Sequence, residues 1–540
     1  MKLTRKILVL AALPLASLAV LKAAAVPAVV PPRNILFIIT DQQHAGALGC
    51  AGNTYVKTPH IDKLAARGIR FGKSYCTYPL CCPSRGSLFT SRTPHELEIF
   101  TNADAELSGK PLHSETLGEL FQAAGYQTAY AGKWHLQAPF PAFKGRKIPG
   151  FAMLPLAGSD PGTVNQAKVG KGLTVDPNTA DAAIKFLRQP HPKPFLLVAS
   201  LLNPHDICEY PGCAALKQLL PTDPAQLPPA RPNMRDPGKL PSALQKYVSQ
   251  KGDWTEQQWR EYLYIYYRLV EMADAEVGRV LAALDQAGLA SNTVVVFTSD
   301  HGEMMGSHKM ITKQKLYEEA AAVPLVVAPP NAKASLDQSH LVSGLDIMPT
   351  LLDYAGITAP ASLEGRSLRP LVDGKDVPWR DFVASEVNVS AEARMVRSAH
   401  FKYVAFAAGE DREQFFDMEQ DPGETHNRIT DPALATEVAR HRTMLEQWRK
   451  QTHDSIGKQS AVDKPTNRKN RPAAASDAQP GKDRAAIFEN KDTNHDGKLS
   501  LDEFLANQPD ADLARKRFAR WDTDHNGFLS REEFVNALAK

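Results

Sequence analysis

The sequence predicts an α/β domain for most of the chain, followed by a smaller α+β subdomain and an all-α tail. Two continuous apolar runs, residues 34–40 and 293–299, have the composition of strands buried on both faces of a parallel sheet. A long helix is predicted at 255–287, because Thr255 and Gln258 form a capping box and Gly288 follows its end. Buried strands that alternate with helices indicate a sheet covered by helices.

Acidic residues follow both predicted strands. The first strand is followed by Asp41 and the second by Asp300 and His301. In open α/β sheets, ligands bind at the carboxyl ends of the strands. The two strand ends therefore predict a functional site at one edge of the sheet.

The composition is that of a soluble globular protein with two or three folded units. The chain has 540 residues, of which 43% are hydrophobic and 23% are charged, and its formal net charge is +3. The sequence contains no basic stripe and no aromatic RNA-binding motif. Nucleic-acid binding is therefore not expected.

Residues 1–25 have the pattern of a secretory signal peptide. Lys2, Arg5 and Lys6 precede an apolar run over 7–21, and small residues follow it. The run is shorter than the roughly 20 residues that span a bilayer, so cleavage is expected rather than anchoring. We therefore expect a periplasmic or secreted protein with no stable membrane insertion after the signal is removed.

Six cysteines in an exported chain raise the question of disulfide bonds. Cys208 and Cys213 bracket a turn-prone Glu-Tyr-Pro-Gly segment, which could close a small disulfide loop. Two free buried thiols are an equally weighted alternative.

Changes in composition divide the rest of the chain. The α/β domain is assigned to 30–380 and contains a proline-rich segment at about 207–252, a pattern common in specificity insertions. Short polar strands and a helix reaching about Lys450 define the α+β subdomain at 381–451. Residues 452–483 are rich in Lys, Pro, Ala, Ser and Asn and predict a disordered linker.

The tail, residues 484–540, contains two segments with the twelve-residue pattern of an EF-hand calcium loop. They run over 492–503 and 522–533, with glycine at the sixth position and glutamate at the last. The predicted ligands of the two Ca²⁺ ions are Asp492, Asn494, Asp496, Lys498 and Glu503, and then Asp522, Asp524, Asn526, Phe528 and Glu533. Leu499 and Leu529 are expected to pair in a short β-bridge, and the terminal glutamates favour EF-hands over a dockerin-like pair.

A further motif occupies residues 81–92, which begin Cys81-Cys82-Pro83-Ser84-Arg85. This segment resembles the maturation signature of type I sulfatases, in which a separate maturation enzyme oxidises the leading cysteine to formylglycine. The resemblance assigns Cys81 as the formylglycine precursor. The alternative is a redox or structural thiol pair in a tight turn, because Pro83 disfavours regular structure.

Other segments between residues 33 and 430 resemble the same family in the same order. They are Asp41-Gln42, Lys133-Trp134-His135, Asn203-Pro204-His205, Asp300-His301-Gly302-Glu303 with the downstream Lys313, and Asp421-Pro422 with Glu424 and Asn427. The resemblance implies an alkaline-phosphatase-like sandwich, with a large mixed β-sheet between helices, and an enzyme that hydrolyses sulfate esters.

The resemblance also implies a divalent cation at the two strand ends. Its ligands would be Asp41, Gln42, Asp300, His301 and the group made from Cys81. These are mostly oxygen donors, which favour Ca²⁺, while the imidazole leaves Mn²⁺ or Mg²⁺ open.

Catalytic roles are carried over from the family residue by residue. Arg85 would orient the hydrated aldehyde, and Lys133 and Lys313 would bind the sulfate oxygens as compact charges. His135 would act as the base that releases sulfate from the enzyme. His205 would contact the sulfate or protonate the leaving oxygen.

We therefore expect an exported sulfatase that acts on sulfated glycans or aryl sulfates. His308 could line its substrate pocket or be an ordinary polar loop residue. Phosphonate monoester and phosphodiester hydrolases share this architecture and its Asp-Gln and Asp-His segments, but they generally replace Lys133 and His135. A third hypothesis, a Ca²⁺-dependent binding protein with a degenerate enzyme domain, is disfavoured by the complete catalytic set.

Overall fold

The computed structural model describes residues 33–102, 112, 114–136, 148–156, 172–248, 254–388, 392–455, 488–489, 491–505, 515, 518–519 and 521–536. The predicted signal peptide and most of the predicted linker lie outside these residues. The chain divides into two compact units, 1–458 and 459–540, and each is described by itself.

The first unit is built on an eight-stranded mixed sheet with the strand order β5-β4-β6-β1-β7-β8-β2-β9. The strands within the described residues are β1 (Asn34–Asp41), β2 (Ile69–Phe71), β3 (Ser74–Tyr75), β4 (Gln127–Gly132), β5 (Ala152–Met153), β6 (Phe195–Pro204), β7 (Thr293–Ser299), β8 (Leu325–Ala328), β9 (Ser335–Asp337), β10 (Val342–Ser343), β11 (Phe382–Val387), β12 (Ala393–Ser398), β13 (Phe401–Phe406), β14 (Glu413–Asp417), β15 (Lys498–Ser500) and β16 (Phe528–Ser530). The central strand β1 pairs in parallel with both β6 and β7, whereas β8 runs antiparallel to its two neighbours, β7 and β2.

Helices cover both faces of this sheet. The α-helices are α1 (Pro59–Ala65), α2 (Cys81–Thr90), α3 (Leu117–Ala123), α4 (Gly172–Leu187), α5 (Ala214–Lys217), α6 (Pro232–Arg235), α7 (Ser242–Val248), α8 (Glu256–Gln286), α9 (Glu318–Ala321), α10 (Ile347–Ala355), α11 (Arg369–Val372), α12 (Ala435–Gln451), α13 (Leu501–Leu505) and α14 (Arg531–Asn536). Because successive strand side chains point to opposite faces, Phe37 packs in one core with α2 and α10, and Leu36 packs in the other with α4 and α8. The predicted fold, a large mixed sheet between helices, is confirmed.

Two local predictions can be compared directly with the structure. The capping box of Thr255 and Gln258 is present at the start of α8. The expectation that Pro83 would exclude regular structure is wrong, because Pro83 is the third residue of α2. Proline is tolerated there because the first amide groups of a helix have no intrahelical acceptor.

The α+β subdomain is a four-stranded antiparallel sheet, β11-β12-β13-β14, packed against α12. Glu424 ties it to the α/β domain, since its carboxylate accepts a hydrogen bond from the Glu318 backbone amide (2.7 Å) and pairs with Lys402 (2.8 Å). Asp454, which the sequence assigned to the linker, is buried and pairs with Arg394 at 2.7 Å. The packed part of the chain therefore extends a few residues past 451.

The second unit contains the two predicted calcium loops. β15 and β16 pair antiparallel, with Leu499 opposite Leu529, as predicted. Phe488, Phe504 and Phe534 belong to the apolar cluster of this unit.

All six cysteines are free thiols, so Cys208 and Cys213 do not form the disulfide that the sequence left open. Within the described ranges, none of the helices combines the length and the apolar character needed to cross a membrane.

Candidate active site

The two acidic strand ends lie side by side, as the sequence predicts. Thr40 pairs with Ser299 in the sheet, so Asp41 at the end of β1 and Asp300 just after β7 reach the same edge. The Gln42 backbone amide donates to Asp300 Oδ1 at 3.1 Å. Parallel strands thus bring together two carboxylates that are 259 residues apart in sequence.

Helix α2 brings Cys81 to the same point. The helix starts at Cys81, and its Sγ lies 3.2 Å from His301 Nε2 and 3.7 Å from Asp41 Oδ1. The Ser84 hydroxyl donates to the Asp300 carbonyl oxygen, which fixes the first turn of α2 against the end of β7. Cys81 is fully buried.

Arg85, one helical turn further on, joins the two carboxylates. Its Nη2 donates to Asp41 Oδ2 at 2.9 Å and its Nε donates to Asp300 Oδ2 at 2.8 Å. Its Nη1 donates to the Lys133 carbonyl and to Ser200 Oγ. All five donor positions of a guanidinium lie in one plane, so Arg85 sets the spacing of both carboxylates.

Lys133 follows β4 and points at Asp41. Its Nζ lies 2.6 Å from Asp41 Oδ2. Its carbonyl oxygen accepts hydrogen bonds from the Tyr130 hydroxyl (2.6 Å) and the Ser200 hydroxyl (2.7 Å), in addition to Arg85. Three side chains therefore fix the backbone at the end of β4 through the Lys133 carbonyl.

The two predicted catalytic histidines are buried at the same edge. His205 Nε2 lies 3.9 Å from Asp41 Oδ1. His135 has a φ of 58°, an uncommon value for a residue with a side chain, and its carbonyl accepts from Cys82 Sγ at 2.8 Å. Cys82 therefore has a structural contact, while Cys81 faces the carboxylates.

A chain of polar contacts positions Lys313. Its Nζ donates to Gln42 Oε1, and Gln42 Nε2 donates to the Glu303 carboxylate. Glu303 is buried and also accepts from the Tyr262 hydroxyl at 2.8 Å. The cation-ligand role of Gln42 stays a prediction, since its side chain is engaged by Lys313 and Glu303 in this arrangement.

The donor set fits a divalent cation. Asp41, Cys81, Asp300 and His301 each offer a ligand atom, and these atoms lie within 4.8 Å of one another. His301 Nδ1 is 2.9 Å from the Gly302 carbonyl, which leaves Nε2 available to a metal. Two carboxylates and an imidazole suit the hard or borderline cations predicted from the sequence.

Burial and charge shift the pKa values of the acidic groups. Burial, with help from Asp41, raises the pKa of Asp300 to about 6. For Asp41, burial has the same tendency, but Lys133 and His205 outweigh it and hold the pKa well below its usual range.

The Cys81 thiol is surrounded by cations. Burial acts to raise its pKa, and so does Asp41. Lys133, Lys313 and His301 outweigh both and hold that pKa well below its usual range. An anionic group at this position is therefore strongly favoured.

The histidines respond in opposite directions. Burial and the nearby Lys313 lower the pKa of His205 to about 4, so its ring is neutral at pH 7. Burial acts in the same way on His135, but contacts with Cys82 and Cys81 raise its pKa well above its usual value. At pH 7 the His205 ring is therefore neutral, whereas the His135 ring is protonated.

His308 lies apart from this centre. Its ring stacks on Tyr317 with a centroid distance of 3.9 Å, and its Nδ1 lies 3.0 Å from the Pro237 carbonyl. Among the described residues, no contact links it to Cys81 or the two carboxylates. Its role in the substrate pocket stays a prediction.

Sequence reasoning missed several supporting residues. Ser200 and Tyr262 contact the predicted residues only after the chain has folded, and no local pattern marks them, whereas Tyr130 lies three residues before Lys133 in the sequence. Glu303 belongs to the Asp300-His301-Gly302-Glu303 segment that resembles the sulfatase family, so that motif could have predicted its position at the site.

In the predicted calcium loops, backbone amides hold the first acidic side chain. Asp492 accepts hydrogen bonds from the backbone amides of Asp496 (3.1 Å) and Gly497 (2.8 Å). In the second loop, Asp522, Asp524 and Glu533 bring ligand atoms within 4.8 Å of one another. Lys498 and Phe528 belong to β15 and β16, where the paired loops meet. The side-chain oxygens of Asn494, Asp496 and Asn526 accept hydrogen bonds from backbone amides of their own loops, and those of Glu503 accept bonds from Thr493 and Ser500.

Comparisons with known proteins agree along the chain. The family model described as Sulfatase matches residues 33–357, and the model for the C-terminal region of N-sulphoglucosamine sulphohydrolase matches 306–451. EF-hand models match 485–506 and 513–540.

Individual relatives point the same way. A Delta 4,5-hexuronate-2-O-sulfatase of Bacteroides thetaiotaomicron is 31% identical over 467 residues, which cover 83% of this chain and 95% of that protein. The solved structure of a 2-O GAG sulfatase has a TM-score of 0.67 and 29% identity, and the match covers 78% of this chain and 93% of that one. The phosphonate monoester hydrolase of Agrobacterium radiobacter has a TM-score of 0.65 and 24% identity, with 78% of this chain and 96% of that one covered, a similarity that concerns the fold alone.

Proposed function

This chain belongs to the sulfatase family, and we propose that it is an exported enzyme that removes sulfate from glycans after Cys81 is converted to formylglycine. Members of the family hydrolyse sulfuric esters. The observation that carries the proposal is the position of Cys81, whose Sγ lies between His301 and Asp41 at the ends of two strands.

The charges of the site suit an anionic substrate. The carboxylates of Asp41 and Asp300 are matched by Arg85 and Lys133, so a bound divalent cation would leave an excess of positive charge. A sulfate ester repels nucleophiles through its anionic oxygens, and preorganised cations relieve that repulsion. Lys313, held by Gln42, would add a further charge for the sulfate.

The modified side chain would supply the nucleophilic oxygen of its hydrated aldehyde. Lys133 and Lys313 would hold the sulfate oxygens, and Arg85 would keep the two carboxylates at a fixed spacing. His135 would accept the proton that must leave when sulfate is released, once conversion of Cys81 has removed one of the two thiol contacts that raise its pKa. His205, neutral at pH 7, would contact the sulfate or the leaving oxygen through a ring N–H.

We propose 2-O-sulfated hexuronate as the substrate class, because the relative with 31% identity is a Delta 4,5-hexuronate-2-O-sulfatase. The match covers 95% of that protein, so the comparison includes its whole catalytic region. The proline-rich insertion, 207–252, would help to shape the pocket, because α6 and the loop around it lie against residues 307–309.

Three cations belong to the proposal. One Ca²⁺, with Mn²⁺ or Mg²⁺ as alternatives, would bind at the active centre, and two Ca²⁺ ions would bind the EF-hand loops. A separate formylglycine-generating enzyme is the required partner during maturation.

Hydrolysis of phosphonate monoesters is the competing activity on this architecture. Lys133 and His135 favour the sulfatase, since the positions are filled as that family requires and the Lys133 charge lies 2.6 Å from Asp41. Comparison of a 4-nitrophenyl sulfate with a 4-nitrophenyl phenylphosphonate measures the preference directly.

The function is tested with the full chain produced together with a formylglycine-generating enzyme. We expect the peptide containing residue 81 to carry an aldehyde, and we expect sulfate release from a 2-O-sulfated unsaturated disaccharide. Cys81→Ala should abolish that release, whereas Cys213→Ser, at a half-buried thiol outside the site, should retain it. Full activity in protein whose Cys81 is unmodified would contradict the mechanism.

A further inference from the structure

A second polar cluster lies beside the active centre, and of its members only His308 has a role predicted from the sequence. We call it the Glu319 cluster, and its members are His44, Arg231, Asn233, His308 and Glu319. The side chains of Asn233, His308 and Glu319 are buried.

Glu319 is the centre of the cluster. Its Oε1 accepts hydrogen bonds from Asn233 Nδ2 at 2.8 Å and from Arg231 Nη2 at 3.2 Å. Burial acts to raise the pKa of Glu319, but the charge of Arg231 outweighs it and lowers the pKa to about 2. Glu319 is therefore an ionised, buried acceptor at pH 7.

The cluster leaves hydrogen-bonding atoms unused. Among the described residues, no partner is found for Glu319 Oε2, Asn233 Oδ1, Arg231 Nε or His44 Nδ1, although all four atoms are shielded from solvent. A buried polar atom without a partner costs roughly 1–3 kcal/mol, so four in one cluster need an explanation. Two acceptors and one guanidinium donor are groups that sugar hydroxyls can satisfy.

The backbone connects this cluster to the reacting centre. The amide of Glu303 donates to the Glu319 carbonyl at 2.9 Å, so the segment after Asp300 runs against α9. On the other side, the Tyr266 hydroxyl donates to the Gln42 carbonyl (2.9 Å) and accepts from the His44 amide (2.8 Å). The cluster therefore borders the site on the two segments that follow β1 and β7.

Solvent can reach one side of the cluster. The Arg231 side chain is 28% exposed while its partner Glu319 is 3% exposed, and His44 is partly exposed. A ligand that enters from this side would meet Arg231 first and the buried carboxylate behind it.

The charge of the cluster selects a neutral ligand. Arg231 and Glu319 cancel, and burial lowers the pKa of His308, so its ring is not charged at pH 7. His308 Nδ1 faces the Pro237 carbonyl at 3.0 Å and Asn233 lies 3.5 Å from its other ring nitrogen. A carboxylate or a second sulfate would gain little from such a balanced set, whereas hydroxyl groups would gain hydrogen bonds to charged partners.

We propose that the Glu319 cluster is a sugar-hydroxyl subsite, in which Glu319 Oε2 accepts from one hydroxyl of the substrate and Arg231 Nε donates to a neighbouring one. The inference rests on the proposed function, because it needs a sulfated sugar at the adjacent centre. It makes Arg231 and Glu319 determinants of specificity for sugar sulfates over aryl sulfates.

The test compares two substrates in the matured full-length enzyme. The variants are Arg231→Gln, Glu319→Gln and the control Arg235→Gln, at the end of α6, where Arg235 forms an exposed pair with Glu256. The substrates are 4-nitrophenyl sulfate, which has no sugar hydroxyl, and the best sugar sulfate from a panel that includes the 2-O-sulfated unsaturated disaccharide.

We expect Arg231→Gln and Glu319→Gln to lower kcat/KM for the sugar sulfate by about 10- to 100-fold, the effect of losing a hydrogen bond to a charged group. Cleavage of 4-nitrophenyl sulfate should stay within about twofold of the wild type, and Arg235→Gln should change neither. Since Glu319→Gln removes a buried charge and could impair folding, the half-exposed Arg231 variant decides the test in that case.

Other outcomes overturn the inference. Equal losses on both substrates would show that the cluster only supports the active centre, and unchanged kinetics on both would show that it binds nothing in the substrate. A wild-type enzyme that cleaves the aryl sulfate but no sugar in the panel would refute the subsite and leave the sulfatase function intact. An enzyme inactive on every sulfate would instead refute the proposed function.

Discussion

Lys133 Nζ lies 2.6 Å from Asp41 Oδ2, and this ion pair is buried next to a second one between Arg85 and the same oxygen. One carboxylate oxygen thus serves two cations in a site shielded from water. Buried charges are stable only when they are paired, so the two cations and the two carboxylates require one another. The arrangement keeps positive charge at the position where a sulfate would bind.

Arg85→Lys should disrupt this balance, because an ammonium group cannot reach both Asp41 and Asp300. We expect a loss of about 3–5 kcal/mol in the free energy of unfolding, the range for a broken buried pair. Sulfatase activity should fall by at least about 100-fold. Chemical denaturation and initial rates measure the two effects.

The matched control is Arg67→Lys, at a surface pair with Asp285 in which the side chains are 37% and 47% exposed. Its effect should be less than about 1 kcal/mol, with unchanged activity. Equal stabilities of the two variants would contradict the role assigned to Arg85.

Glu303→Gln tests the contacts that hold Lys313. Glu303 accepts from Gln42 and Tyr262, and Gln42 accepts from Lys313, so an amide at 303 would place two donors face to face. We expect KM for 4-nitrophenyl sulfate to rise by roughly tenfold, because the Lys313 ammonium group would no longer be held in place through Gln42. Inhibition by free sulfate should weaken by a similar factor, and an unchanged inhibition constant would oppose this interpretation.

The sequence was most informative where chemistry and local pattern coincide. Asp41 and Asp300 follow apolar runs, so their meeting at one sheet edge could be expected from strand topology alone. The start of α2 at Cys81 was not expected, because Pro83 was interpreted as a breaker although the first helical turn accepts proline.

Residues whose role depends on tertiary contacts could not be predicted from the sequence. Asn233 lies in a proline-rich segment with no periodic pattern, and its contact with Glu319 crosses 86 positions of sequence. Asp454 looked like linker because the composition around it is polar, yet its pair with Arg394 buries it. Composition reports the average of a segment, whereas burial is decided by single contacts.

A pH-dependent contribution to stability is expected at His95. Its Nδ1 lies 2.7 Å from Glu386 Oε2 and its Nε2 lies 2.9 Å from the Thr452 carbonyl, so both ring nitrogens face acceptors. Burial opposes protonation, but the bond to Glu386 outweighs it and raises the pKa of His95 to about 9.

Because this pKa is higher in the folded chain than in the unfolded one, the stabilisation is complete below about pH 6.5 and is lost as the pH rises through about 9. We expect His95→Asn to lower the free energy of unfolding by roughly 3 kcal/mol at pH 6 and by much less at pH 9.5. Glu386→Gln should reproduce the trend, and a difference that is constant with pH would contradict the charged pair.

Substitution of the terminal glutamates of the two predicted calcium loops should lower the number of Ca²⁺ ions that the chain binds. In each loop a backbone amide holds the terminal glutamate, since Glu503 accepts from the Ser500 amide (3.0 Å) and Glu533 accepts from the Ser530 amide (2.9 Å). Glu503→Gln and Glu533→Gln each remove a ligand charge, which should weaken Ca²⁺ binding at that loop by at least about tenfold. The double variant of the full chain should bind two fewer Ca²⁺ ions in calorimetry than the wild type, while its sulfatase activity at saturating Ca²⁺ is retained.

The control is Glu489→Gln, at an exposed pair with Arg531, which should leave the number of bound Ca²⁺ ions unchanged. An identical stoichiometry in the double variant would contradict calcium binding at these loops, and loss of activity with it would link the tail to catalysis.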